Sequence, residues 1–153
     1  MLQLHEWPAG TTEHMDSSLL DILINWRAEA GYPVRPSPLY DAHVRHVAGT
    51  SRHCTKDVAG NERKSDGTDF FAVHDFQADN IWLSLVAERR FGGIGIYFDT
   101  TPSTMFHVDM RQERVLWIRI NKTEYIYHHN DPIRFWNELN NGFKKLNGER
   151  ARW

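Results

Sequence analysis

Apolar residues spaced three and four positions apart predict four helices. The first helix is expected to begin with an N-cap at Asp16 or Ser17 and to reach about Ala30, where a Gly-Tyr-Pro sequence ends it. Further helices are predicted over residues 38–47, over residues 76–90 and from Asp131 onward, where Asp-Pro favours a helix start. The apolar stripes of the first and last helices are Leu19, Leu20, Ile22, Leu23 and Trp26, and Phe135, Trp136, Leu139, Phe143 and Leu146.

Shorter apolar runs between turn-forming residues predict strands over residues 69–73, 94–98, 105–110 and 115–120. Residues 111–114 are expected to form a hairpin turn, and the short connections between the last three strands favour an antiparallel arrangement. The whole pattern predicts one α+β domain, with a small antiparallel sheet flanked by helices.

Length and charge narrow the possible functions. A chain of 153 residues suits a single domain with a proper core, and a net charge of −2 without a Lys/Arg block argues against nucleic-acid binding. No apolar run is long enough to span a membrane. The only cysteine, Cys54, rules out an internal disulfide, and the N-terminus lacks a secretory pattern. We therefore expect a protein that is cytoplasmic on synthesis.

Two segments carry the candidate chemistry. The first runs from Ser51 to Asp69 and contains His53, and the second is Phe106-His107-Val108-Asp109. Together they offer two histidines and several carboxylates, and a catalytic zinc ion takes three such ligands with one position left open. Zinc lowers the pKa of a bound water to about 7, which makes a nucleophile at neutral pH. Spacing alone does not identify the site, because the helical His-Glu-x-x-His motif is absent.

The first segment resembles a signature of the M15 family of zinc peptidases, which includes D-Ala-D-Ala carboxypeptidases and phage endolysins. That signature reads Ser-x-His-x-x-Gly-x-Ala-x-Asp and is followed by an apolar residue. Ser51-Arg52-His53 matches its beginning. The segment from Ser65 to Phe70 is similar to its end, with Ser in place of Gly and Gly in place of Ala.

The second signature of the family is a Gly-x-Gly-Tyr strand followed by Phe-Val-His-Val-Asp. It is similar to Gly93-Ile94-Gly95-Ile96-Tyr97 and to the segment around His107. Arg35, before Pro36-Ser37-Pro38, resembles the arginine of a family Gly-Tyr-Arg-Ser-Pro segment, and Arg111 and Trp117 resemble residues that often follow His-Val-Asp. The resemblance covers about residues 17–120, which leaves residues 121–153 as a C-terminal extension of the single domain 1–153.

The resemblance implies a fold shared with hedgehog signalling domains and D-Ala-D-Ala peptidases. It also implies zinc as cofactor, with His53, Asp69 and His107 as ligands. Arg35 would hold a substrate carboxylate and count among the catalytic residues. The same comparison makes Asp109 a candidate general base or a partner that orients a ligand. Ser51 and Tyr97 would join Arg35 in substrate binding.

Two departures from the family pattern leave alternatives open. The family has six residues between its first His and its Asp ligand, whereas this chain has fifteen, which we interpret as nine residues inserted in the 55–64 loop. Asp66 and Asp57 are therefore alternatives to Asp69. Many members also carry an acid three residues before the second His, where this chain has Thr104.

The expected function is zinc-dependent hydrolysis of a peptide bond in bacterial peptidoglycan, by a carboxypeptidase or an endopeptidase. The partner is then the stem peptide of the cell wall, and a phage-type lysis or virion-associated enzyme fits a chain without a secretory pattern. The alternative is a non-catalytic metal-binding or virion structural domain that retains the fold, which Thr104 would favour.

Overall fold

The computed structural model describes residues 2–150, which form a mixed α+β fold. The helices are α1 (Ser17–Ala30), α2 (Ala78–Ala87) and α3 (Pro132–Arg150). The strands in chain order are β1 (Val34–Pro36), β2 (Arg45–Ala48), β3 (Cys54–Lys56), β4 (Gly67–Ala72), β5 (Gly93–Tyr97), β6 (Met105–Asp109), β7 (Val115–Asn121) and β8 (Glu124–Tyr127).

Six strands form the main sheet in the order β1-β4-β6-β5-β7-β8, and β2 pairs with β3 in a separate parallel ladder. The main sheet is mixed, because β5 and β7 run parallel while its other neighbours are antiparallel. The purely antiparallel sheet predicted from the sequence is therefore wrong in its β5–β7 pair.

The hairpin predicted at residues 111–114 is also wrong, because β5 lies between β6 and β7. The connecting segment crosses the start of β5 at Gly92, whose N–H donates to the Asp109 carbonyl at 2.9 Å. The Gly92 carbonyl in turn accepts from the Val115 N–H at 2.9 Å. A Cβ at Gly92 would lie 1.7 Å from the Arg111 carbonyl oxygen, so only glycine lets the crossing chain pass this closely.

The helix predicted over residues 38–47 is absent from the structure. A 3₁₀ turn (Tyr40–Ala42) and strand β2 occupy this segment. Among these ten positions only His43 and Val44 are buried, so the segment lacks the apolar stripe that holds a helix against a core.

The main sheet has one core face and one open face. On the core face, alternate residues pack beneath the helices in a single hydrophobic cluster, to which the sheet contributes Val34, Phe70, Ala72, Ile94, Ile96, Phe106, Val108, Ile118 and Ile126. The intervening residues point the other way, as the two-residue period of a strand requires. That open face carries histidine, aspartate, arginine, tyrosine and tryptophan side chains.

The C-terminal extension completes the same sheet and core. Strand β8 pairs with β7, and Phe135 and Leu139 of α3 are buried in the hydrophobic cluster. None of the helices within residues 2–150 combines the length and the apolar character needed to cross a membrane.

Candidate metal centre

Three buried side chains converge on the open face of the sheet. Asp69 on β4 and His107 on β6 are directly opposite each other in the antiparallel ladder, and His53 arrives from the loop before β3. The His107 Nδ1 atom lies 2.8 Å from Asp69 Oδ1, and the His53 Nε2 atom lies 3.5 Å from the same oxygen. One ligand atom from each residue lies within 4.8 Å of the others, so this cluster could hold a metal ion.

The donor set fits a zinc ion in chemistry and in spacing. Zinc bonds of about 2.0–2.1 Å in a tetrahedral site place two ligand atoms roughly 3.3 Å apart. The 3.5 Å separation of His53 Nε2 and Asp69 Oδ1 is close to that value. The 2.8 Å contact of His107 with Asp69 is a hydrogen bond, and an ion would replace the proton it holds. The His53 Nδ1 atom is buried and has no hydrogen-bond partner among the described residues, so no hydrogen bond fixes that side of the ring.

Asp109 orients His107 from behind. Its Oδ2 atom accepts the His107 Nε2–H at 2.9 Å, which leaves Nδ1 facing Asp69 and His53. Arg111 binds the same carboxylate bidentately, with Nε 2.8 Å from Oδ1 and Nη2 2.6 Å from Oδ2. The backbone N–H of Gly93 adds a contact of 3.1 Å. Asp109 is fully buried, and a carboxylate so engaged suits the orienting role better than that of a general base.

Three glycines, which lack a Cβ, leave room for these side chains. A Cβ at Gly93 would meet the Asp109 carboxylate at 2.4 Å, and a Cβ at Gly95 would meet the Trp117 indole at 2.4 Å. A Cβ at Gly67 would lie 3.0 Å from the His107 ring. Glycines at these three positions therefore let the side chains of neighbouring strands lie flat across the sheet.

The cluster strongly shifts the pKa values of its own members. Burial alone would raise the pKa of Asp69, but hydrogen bonds from His107 and His53 hold it well below its usual range. Burial likewise opposes the charged form of His107, yet hydrogen bonds to Asp109 and Asp69 raise its pKa to about 9. In the metal-free protein His107 is therefore charged and donates its two ring N–H groups to the buried carboxylates of Asp69 and Asp109.

The structure separates the three candidates for the third ligand. Asp69 joins the histidines, whereas Asp66 forms an ion pair with Arg52. Asp57 is partly exposed and caps the turn of the 55–64 loop, where its Oδ1 accepts from the Ala59 and Asn61 N–H groups at 2.9 Å. The loop pairs with itself around this turn and does not reach the donors, so its extra length leaves the cluster intact.

A cavity of about 370 Å³, here called the donor cavity, opens onto the three donors. Tyr97 and Ser51, the residues that the resemblance suggested for substrate binding, both line it. Tyr97 is buried, and its hydroxyl accepts from Trp117 Nε1 at 3.0 Å. The Ser51 hydroxyl accepts from the His53 N–H at 3.3 Å, so Ser51 also shapes the loop that delivers His53.

Arg35 lies on the same sheet face but outside the donor cavity. It pairs with Phe71 across β1 and β4, one strand beyond Asp69. Its side chain is exposed and lines a separate, largely apolar cavity of about 470 Å³ with Pro36, Leu39 and Pro102.

Within residues 2–150, no second carboxylate lines the donor cavity. Among the described residues that line the donor cavity, Asp69 is the only acid, while arginines and aromatic residues form most of the wall. Thr104, at the position where many family members carry an acid, lines a different cavity against α3. Its backbone N–H is bonded to Asp75 Oδ1 at 2.7 Å.

Sequence reasoning missed the residues that complete this wall. Tyr125 and Tyr127 of β8 line the donor cavity, and Arg119 lines it from β7. Their alternation with Ile118 and Ile126 was a usable signal, because a strand that buries one face must present the other to the same side as its neighbours.

Searches against protein-family models, curated proteins and solved structures found no match to this chain.

Proposed function

We propose that this protein is a zinc-dependent peptidase that hydrolyses peptide bonds of bacterial peptidoglycan. The observation that carries the proposal is the convergence of His53, Asp69 and His107 beneath an open cavity. The order of these residues, and the signatures around them, also resemble the M15 family with its hedgehog-type fold.

The three donors would hold zinc, which acts as a Lewis acid toward a carbonyl and lowers the pKa of water. Asp109 keeps the Nε2 proton of His107 in place, so that Nδ1 presents its lone pair to the site. Arg111 neutralises Asp109 and lies 5.2 Å from the centre of the Trp117 ring, which fixes that wall of the cavity. Tyr97, held by Trp117, adds a hydroxyl at the cavity wall that can bond to a substrate amide.

The shape and lining of the open face support a peptide substrate. The donor cavity adjoins a second cavity of about 370 Å³ through the shared residues Arg45, Asp69, Met105 and Arg119. Aromatic and cationic side chains on such a surface suit the amides and carboxylates of a stem peptide.

Zinc content and peptidoglycan digestion test the proposal together. We expect about one zinc per chain in the purified protein, as a three-residue donor site binds one ion. His107→Ala should lose the metal, and His5→Ala, at an exposed histidine distant in sequence, serves as the matched control. Purified cell wall should release peptide fragments with the wild type, less so after chelation, and again after zinc is restored. Absence of zinc even after reconstitution would overturn the proposal.

A non-catalytic metal-binding domain is the second candidate. The observation that favours it is the lack of a second acid in the donor cavity, since many zinc hydrolases need a proton acceptor beside the metal. This alternative would be favoured if the wild type bound zinc but released no peptide fragments in a zinc-dependent manner.

A further inference from the structure

The donor cavity has an excess of positive charge. Arg45, Arg52, Arg111 and Arg119 line it, against the single carboxylate of Asp69. Arg52, Arg111 and Arg119 each pair with an acid outside the lining, namely Asp66, Asp109 and Asp99. A bound divalent cation would add to this excess, so the cavity suits an anionic group of a ligand.

Arg119 is the best positioned of these arginines to receive such a group. Its Nε donates to Asp99 Oδ1 at 3.0 Å, and its guanidinium lies 4.6 Å from the centre of the Tyr97 ring. Tyr125 flanks it on another side, with its ring centre 5.9 Å away. The side chain is only 19% exposed, yet within the described residues its Nη2 has no hydrogen-bond partner. One terminal nitrogen of a fixed guanidinium therefore remains available.

Strand register places Arg119 on the same face as the donors, two strands from His107. Phe71, Met105, Tyr97 and Arg119 form one row across β4, β6, β5 and β7, and Asp69 and His107 belong to the next row. Arg35 lies in the same row as Arg119 on the other side of His107, so the cavity lining, and not the register, distinguishes the two arginines. Adjacent rows on one face are about 6.7 Å apart, since each residue of a strand rises about 3.3 Å. Arg119 also lines both the donor cavity and the cavity that adjoins it.

Within residues 2–150, the Arg35 guanidinium is not held in place by contacts of this kind. It is exposed, no hydrogen bond or ion pair of its guanidinium is seen among the described residues, and its cavity is largely apolar. Ordering a free arginine costs side-chain entropy, whereas Arg119 is already ordered.

We propose that Arg119, rather than Arg35, binds a carboxylate of the substrate next to the metal donors. The ligand class is a peptide with a free carboxylate close to the scissile bond, and this assignment rests on the proposed peptidase function. Guanidinium binds carboxylate through short, charge-assisted hydrogen bonds, which amide groups cannot match.

Binding of soluble stem peptides, before and after their carboxylates are converted to amides, tests this assignment. The zinc-supplemented protein would be titrated calorimetrically with each form. A charged hydrogen bond contributes about 1.5–3 kcal/mol, so we expect amidation to weaken wild-type binding about 10- to 100-fold. In Arg119→Gln the free and amidated peptides should bind within about twofold of each other, and Arg119→Lys should recover part of the difference.

Two further arginine variants sharpen the test. Arg89→Gln, at an exposed arginine after α2, is the matched control and should discriminate as the wild type does. Arg35→Gln should also keep the discrimination. The assignment would be overturned if Arg35→Gln lost the discrimination, or if Arg119→Gln kept it with zinc still bound. It would also be overturned if the wild type bound neither peptide. Discrimination without cleavage would instead refute the peptidase proposal and leave the carboxylate site standing.

Discussion

At the scale of single residues, the candidate centre depends on glycines, which have no side chain, as much as on the donor side chains themselves. Gly95 lies in β5 between His107 and Trp117, and the Trp117 indole covers the space that a Cβ would fill. The indole then contacts both the His107 ring, at 5.2 Å between centroids, and the Tyr97 hydroxyl. One absent methyl group thus allows three functional side chains to touch.

Gly95→Ala should therefore destabilise the protein by about 1–3 kcal/mol, the usual cost of forcing atoms into a packed site. Gly148→Ala is the control, because a Cβ there meets nothing within 4 Å and alanine favours a helix. Urea unfolding followed by tryptophan fluorescence would measure both. Equal midpoints for the two variants would mean that Trp117 can move away freely.

Asp109→Asn tests the orienting role of the buried carboxylate. The substitution keeps the shape but removes the charge that balances Arg111 and fixes the His107 tautomer. Loss of such a partner typically lowers metal affinity 10- to 100-fold, and we expect a change of about that size in a competition assay with a chelator. Asp66→Asn, which disturbs only the Arg52 ion pair, should leave zinc affinity within about twofold. A larger loss in Asp66→Asn would implicate Asp66 in metal binding.

At the scale of elements, the sequence predicted those whose apolar pattern is long and regular. The stripe of α1 and the Asp-Pro start of α3 led to the correct helices, and all four predicted strands exist within a few residues. The topology failed at residues 111–114, because a tight turn and a crossing over Gly92 use equally short polar segments. Only the backbone contacts that Gly92 permits distinguish the two.

The candidate site, like the fold, could be predicted only in part from the sequence. His53 and His107 could be named from their signatures, but the choice among three aspartates required the ladder that sets Asp69 opposite His107. The alternation of Arg119 with Ile118 indicated its face of the sheet, but its contact with Tyr97 could not be foreseen, because β5 and β7 are not adjacent in sequence. Side chains assembled across strands depend on strand order, and strand order was the part of the prediction that failed.

The C-terminal extension supplies both a cavity wall and part of the core, so its removal should unfold the protein. A chain ending at Asn121 loses β8 together with the buried Phe135 and Leu139. Each such side chain contributes about 2–5 kcal/mol, which together approaches the whole stability of a small domain. A chain ending at Asn147, beyond the last α3 residue that packs on the core, should still fold. Circular dichroism and thermal melting would compare them; a cooperative melt of the shorter chain would contradict this expectation.

At the scale of the whole molecule, protonation of the centre links stability to metal binding. The pKa of His107 is raised from an ordinary 6.5 to about 9 in the metal-free fold. A raised pKa stabilises the folded state fully below pH 6.5, and this stabilisation is lost as the pH rises toward 9. The difference corresponds to about 3 kcal/mol, because each pKa unit is 1.36 kcal/mol.

Metal-free protein should therefore become easier to unfold between pH 6.5 and 9, whereas its affinity for zinc should increase over the same range. Zinc must displace the His107 proton, and that displacement becomes easier as the pH rises. Urea midpoints of the chelator-treated protein and zinc titrations at matched pH values would measure the two trends. His107→Gln should flatten the stability trend; an unchanged slope in this variant would assign the effect to another group.

The two faces of the main sheet have different roles in the molecule. The hydrophobic cluster holds the fold from one side, and Phe71, Tyr97 and Trp117, although buried, belong to the other side and stand outside that cluster. The residues on the open face that are not buried can therefore be exchanged with little cost to folding, apart from the few that hold the donors. Such a surface can diverge quickly among descendants of one ancestor, and a library of variants at Arg119, Tyr125 and Tyr127 could redirect its specificity on an unchanged scaffold.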